Sequence, residues 1–187
     1  MDKYKQDCVR GQKKFSKSIM MWLAIRSNGQ ARLTRCDNRQ DSSSYQNTVL
    51  RPNLHFIRLV GAQDRRSPII FQQDGASSHT SKSTLRFLQS HRVKMLPNWP
   101  ANSPDLNPVE HCWAWLSKQL VGQKFETEAA LEDAVRTAWA TRPASLIPNL
   151  YGSMVRRLTS VLVARGGATK YERPMMLHKP DFSAFVA

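Results

Sequence analysis

The sequence predicts an α/β fold, a mixed sheet flanked by helices. Three observations carry that prediction. Strand-length apolar runs are interleaved with stretches of helical period, the order expected when helices cover a sheet. Hydrophobic residues make up 41% of the 187, enough to fill a core. Two carboxylates, Asp74 and Glu110, fall at the end of a strand-like run and on the first turn of a helix-like one. Open α/β sheets place their sites at such strand ends.

Taken in order, residues 1–17 read as a basic, irregular lead, residues 18–165 as the folded domain, and residues 166–187 as an irregular tail. Ile19–Ile25 is a continuous apolar run that suits a buried strand. The Ser27-Asn28-Gly29 turn and the loosely alternating Gln30–Asp37 complete a hairpin. Asp41 and the serines after it can cap a helix carrying Tyr45, Val49, Leu50, Leu54 and Ile57, which Pro52 should kink or split. Pro68–Asp74 reads as a short strand, Gly75–Ser78 as a loop, and Thr80–His91 as a helix with Leu85 and Leu88 inward. Val93–Leu96 is another short strand, followed by a stiff loop holding Pro97, Pro100, Pro104 and Pro108. Val109, Cys112, Trp113, Leu116 and Leu120 mark an amphipathic helix, and Leu131, Val135, Ala138 and Trp139 a second. Ile147–Val163 supports one more, and nothing is assigned from Gly166 on.

Charge narrows the class of partner. The net charge is +14 and residues 1–66 hold +9 of it, a field that favours polyanions, chiefly nucleic acid. No run of 18 apolar residues exists, and the polar start lacks the apolar stretch of a secretory signal. Cys8, Cys36 and Cys112 make neither a metal motif nor a disulfide framework, which favours a reducing compartment.

Two carboxylates so placed can hold Mg²⁺, a hard ion that prefers oxygen ligands, and a pair of such ions serves phosphoryl displacement. Each residue also has a plainer reading. Asp74-Gly75 is equally a turn, and Glu110 is the third helical position after Asn107 with Pro108 first, a capping-box arrangement.

Longer blocks bear on that choice. The stretch Phe71-Gln72-Gln73-Asp74-Gly75-Ala76-Ser77-Ser78-His79-Thr80 resembles the block around the second catalytic aspartate of the Tc/mariner superfamily of DDE transposases. The stretch Trp99-Pro100-Ala101-Asn102-Ser103-Pro104-Asp105-Leu106-Asn107-Pro108-Val109-Glu110, with Trp113 after it, resembles the block around the third acidic residue. The 35 residues between Asp74 and Glu110 are close to that family's spacing, and the likeness covers residues 15–145. The resemblance implies a ribonuclease-H-like sheet and Asp74 and Glu110 as metal-binding catalytic residues, with two Mg²⁺ or Mn²⁺ ions. It makes His79 a further site residue, shaping the metal shell or touching phosphate; the plainer alternative is local packing at a helix start. Asn107 and Pro108 would orient Glu110, while Trp99 and Trp113 read as packing groups.

The family reaction is strand cleavage then strand transfer on DNA, with water and then a 3′-hydroxyl attacking phosphorus. DNA, as transposon ends or non-specific duplex, is the implied partner, a homodimer is an open assembly, and the nucleus is the implied location. Two departures stand out. Gly75 replaces the asparagine many relatives carry, and the family's first aspartate lies on a strand well before Ile19–Ile25. Asp2 and Asp7 have no apolar strand around them. Three functions therefore stay open: a nuclease or strand transferase, a non-catalytic DNA-binding module, and an inactive transposon remnant.

Overall fold

The computed structural model describes residues 17–58, 69–100 and 103–171, and the backbone of residues 182–186. The basic lead, with Asp2, Asp7 and Cys8, lies outside the described residues save for Lys17.

Strand β1 (Ile19–Ile25) pairs antiparallel with β2 (Ala31–Arg35), Met21 opposite Arg35 and Ile25 opposite Ala31, which is the expected hairpin. Gly29 closes the turn at φ +87°, a conformation that penalises any residue with a Cβ. The unbroken apolar run of β1 follows from its two covered faces. Ile19, Met21 and Leu23 join one cluster, Trp22 and Ala24 the other. On its other edge β1 pairs parallel with β3 (Phe182–Val186), Ile19 opposite Phe182, giving the order β2-β1-β3. The tail read as irregular thus contains a strand.

Asp41 caps α1 (Ser42–Ser44), its Oδ1 accepting from the Ser44 amide at 2.8 Å. Pro52 does not split the helix beyond this cap. The chain runs through a π-helical turn, Tyr45–Leu50, straight into α2 (Arg51–Ile57). Proline offers no N–H and crowds the carbonyl four residues back, and a wider turn just before it relieves both. Tyr45, Val49, Leu50 and Ile57 are buried as their spacing predicts, and Phe56 joins them.

The two short strands expected at Pro68–Asp74 and Val93–Leu96 shrink to one parallel bridge, Phe71 to Met95. The Phe71 amide donates to the Lys94 carbonyl at 2.7 Å and the Leu96 amide to the Phe71 carbonyl at 2.9 Å. Phe71 is buried but Ile70 is 48% exposed, so one face packs, and among the described residues no second neighbour extends the ladder.

The helix expected over Thr80–His91 is two pieces, α3 (Ser77–Thr80) and α4 (Lys82–Ser90), because Ser81 turns extended at ψ 146° and caps α4. Thr84, Phe87 and Leu88 face inward and Leu85 faces out, 45% exposed. Leu85 lies about 100° round from Thr84, off the stripe that the cap sets.

A 3₁₀ turn, Pro104–Leu106, leads into α5 (Pro108–Leu120), and Thr127 caps α6 (Glu128–Ala140). The predicted stripes bury as expected: Val109, Cys112, Trp113, Leu116 and Leu120 on α5, Leu131, Val135 and Trp139 on α6. The stretch Ile147–Val163 is again two helices, α7 (Leu146–Gly152) and α8 (Met154–Val163). Between them the Ser153 hydroxyl donates to the Leu150 carbonyl at 2.6 Å, competing with helical bonding after a weak helix former, Gly152. Helices α5 and α6 cover one face of β1, and the Tyr45–Ile57 helix with α4 covers the other. Cys36 and Cys112 are buried, which pushes both thiols up to about 12 and makes them packing groups.

Candidate active site

Asp74 ends the segment bridged at Phe71, and its carboxylate is fixed from within the adjoining loop. Oδ1 accepts from the Ala76 amide at 3.0 Å and lies 2.6 Å from His79 Nδ1. An ionised carboxylate only accepts, so Nδ1 carries the proton. His79 is 0% exposed, whereas the Asp74 side chain is 39% exposed. Burial raises the Asp74 carboxyl, but the hydrogen bond and charge of His79, with the Ala76 amide, bring it below its ordinary value. Both of these bonds fall on Oδ1.

Behind this pair stands a buried layer that the sequence reading missed. The Tyr45 hydroxyl donates to Gln73 Oε1 at 3.0 Å, and Gln73 Nε2 donates to the His79 carbonyl at 3.0 Å. The rings of Tyr45 and His79 lie 4.3 Å apart, tilted by 36°. Burial drives the Tyr45 hydroxyl far above its ordinary value, against a lowering by Trp22, and the Asp74 charge adds to the rise. It is a neutral donor at any working pH. The signal in the sequence is a polar glutamine inside an apolar strand pattern, one residue before Asp74. Gly75 serves no steric need, since a Cβ there meets nothing within 4 Å.

Glu110 sits half-buried on the first turn of α5. Asn107 Oδ1 accepts from the Val109 amide at 3.3 Å, while the Asn107 amide donates to the Pro104 carbonyl. Asn107, Pro108 and Val109 share a cavity of about 80 Å³ with Ile69–Gln72, so the start of α5 faces the segment that ends in Asp74. Beneath that start, Arg157 of α8 is buried and donates through Nη1 to the Asp105 carbonyl at 3.0 Å. This anchor, too, has no local signature in the sequence. Among the described residues no group of three or more His, Cys, Asp or Glu side chains is close enough to hold a metal.

His111, next to Glu110, predicts a pH dependence. Burial, with the Arg157 charge, lowers it from the ordinary 6.5 to about 4. Below pH 6.5 the unfolded chain takes up a proton that the folded chain refuses. Stability should therefore be level above that pH and fall between about 6.5 and about 4. Partial exposure screens the effect, leaving a loss of about 1–2 kcal/mol. His111→Gln should flatten this limb in urea titrations at stepped pH; an unchanged slope would refute the assignment.

Comparison with known proteins decides the family. The model of the DDE superfamily endonuclease family matches residues 3–132. The chain belongs to that family. It is 35% identical over 157 residues to the Tc1 transposase of Caenorhabditis elegans, covering 82% of this chain and 55% of that protein. To the Tc3 transposase of the same organism it is 30% identical over 156 residues, covering 82% and 46%. The chain thus spans about half the length of these curated relatives. Its fold is that of the Mos1 mariner transposase catalytic domain, with TM-score 0.60 at 18% identity over 84% of this chain and 87% of that one. A Mos1 paired end complex with Mn gives TM-score 0.64 at 20% identity, covering 78% and 43%. The ribonuclease-H-like expectation and the Tc/mariner kinship hold.

Proposed function

We propose that Asp74 and Glu110 of this DDE endonuclease domain are two of the carboxylates of a site that cleaves DNA strands and transfers them, using two Mg²⁺ or Mn²⁺ ions. The observation that carries the reading is the state of Asp74. It is held ionised and oriented through Oδ1, its exposed end is directed away from those bonds, and it sits on the segment that shares a cavity with the start of α5. Hard carboxylate oxygens suit such ions in kind. When bound, the ions activate an attacking oxygen and offset charge on phosphate. The rest falls to the chain. His79 is a positioning residue, too buried to reach phosphate. Tyr45 and Gln73 fix the His79 backbone, and Asn107 fixes the turn bearing Glu110.

A further carboxylate would come from outside the described residues. Asp2 and Asp7 are its candidate sources. A DNA substrate would put the protein to work in the nucleus.

The test is nicking of supercoiled plasmid with Mg²⁺ or Mn²⁺. Nicked circles should accumulate with the wild-type chain, and Asp74→Asn or Glu110→Gln should reduce them to background. Nicking that survives both substitutions would remove these residues from the site. The net charge of +14 favours a second reading, a DNA-binding module without cleavage. In that case the wild-type chain leaves plasmid intact, and duplex affinity falls steeply with salt and is unchanged or raised in Asp74→Asn.

A further inference from the structure

A second, larger cavity lies between the β1–β2 turn and the end of α2. It measures about 340 Å³ and is lined by Arg26, Gln30, Ala31, Arg32, His55 and Phe56. None of these residues carries a negative charge, and four carry hydrogen-bond donors. Ordinarily the carbonyl end of a helix repels an anion. Here that end is covered: Arg26 Nε donates to the Phe56 carbonyl at 3.0 Å, and Arg26 Nη2 donates to the carbonyls of His55 and Phe56. Arg26 Nη1 also donates to Gln30 Oε1 at 3.1 Å, which leaves the Gln30 NH₂ as the donor end of that side chain.

Arg32 differs from Arg26 in what it touches. Both lie over the buried Phe56 ring, Arg26 at 4.4 Å and Arg32 at 5.7 Å, but Arg32 is exposed and one of its Nη atoms stands 3.4 Å from His55 Nε2. Since a guanidinium only donates, His55 Nε2 accepts and orients Arg32, whose remaining N–H groups stand at the mouth of an open cavity. A planar guanidinium held in this way matches the oxygens of a phosphate group, and the cavity is of a size with ordinary ligand sites.

We propose that this cavity is a phosphate-binding site, in which Arg32 and the Gln30 amide take the phosphate and His55 orients the Arg32 fork. Arg26 is the positioning residue that neutralises the helix end. The phosphate belongs to a nucleic-acid strand or to a free nucleotide, which present the same chemistry here. Arg26 and Phe56 also line the smaller cavity at the start of α5, so a bound strand would continue toward Glu110. The site stands on its own geometry and does not depend on Asp74 or Glu110 being catalytic.

The experiment measures binding of a short fluorescein-labelled DNA duplex and of adenosine monophosphate to the full chain. Variants are Arg32→Ala, His55→Ala, the pair together, and Lys118→Ala, which removes one exposed charge from α5. Arg32→Ala should weaken the duplex about tenfold and lower the slope of log affinity against log salt by about one, with the pair weaker still. Lys118→Ala should change affinity about twofold or less. Arg32→Lys, which keeps charge but loses the fork, should recover only part of the loss. Adenosine monophosphate binding that disappears in Arg32→Ala identifies a free nucleotide as an occupant. Duplex loss with no adenosine monophosphate binding identifies the strand. Equal weakening by Arg32→Ala and Lys118→Ala, or no effect on either probe, overturns the site. Because nicking is not the readout, these results and those for Asp74 fail independently.

Discussion

Trp113→Ala is expected to lower the free energy of unfolding by about 3–5 kcal/mol, read as a drop in urea midpoint with little change of slope. Trp113 is 4% exposed and belongs to the cluster in which α5 and α6 meet Ile19, Met21 and Leu23 of β1. Removing the indole takes away its transfer free energy and leaves a hollow between a sheet and two helices, which cannot close without moving one of them. Trp113→Phe should restore about half. Leu162→Ala gives the contrast: 77% exposed on α8, it should change stability by about 0.5 kcal/mol or less. A loss under about 1 kcal/mol for Trp113→Ala would mean that α5 is not held as described. Since Glu110 rides on the first turn of α5, any such loosening would reach the candidate site as well.

Arg157→Met should destabilise the fold by about 3 kcal/mol, although methionine fills a similar volume. Arg157 is 3% exposed, with Nε donating to Ser153 Oγ at 2.8 Å and Nη1 to the Asp105 carbonyl at 3.0 Å. Its guanidinium lies 5.2 Å from the centre of the Tyr171 ring. Asp105 is itself 4% exposed, accepting from the Leu106 amide on Oδ1 and from the Thr169 hydroxyl on Oδ2. Methionine would leave the buried Asp105 carbonyl and the Ser153 hydroxyl without their donor, and would also take the Arg157 charge from the neighbourhood of the Asp105 carboxylate. Asp105→Asn in the Arg157→Met background should then recover part of the loss, whereas alone it should destabilise. Strict additivity of the two changes in a double-mutant cycle would show that the charges do not interact.

What could be read from the sequence was what repeats locally. The apolar run Ile19–Ile25, the stripe from Val109 to Leu120, and the caps Asp41 and Asn107 are each set by residues a few positions apart, and each was found where expected. Asp74, His79 and Glu110 stood out because long blocks around them resemble a family. What could not be read depends on partners far apart along the chain. Tyr45 meets Gln73 across 28 positions and Arg157 meets Asp105 across 52, and no periodicity announces either. Local competition hid the rest. Ser81 and Ser153 interrupt helices that the apolar pattern alone would have continued, and the π-helical turn absorbs a proline expected to break one. The segment ending at Asp74 has the composition of a strand but finds only one bridge to make.

The pairing of β1 with β3 bears on how this protein comes into being. Its two halves are separated by about 160 residues, Ile19 facing Phe182. A growing polypeptide offers β1 its hairpin partner within seconds, but the opposite flank must wait for nearly the whole domain to be translated. Until then a row of main-chain donors and acceptors on an apolar ribbon is open to any passing extended chain. A contact between segments so far apart in sequence is costly to close, so this pairing is expected to form late in folding.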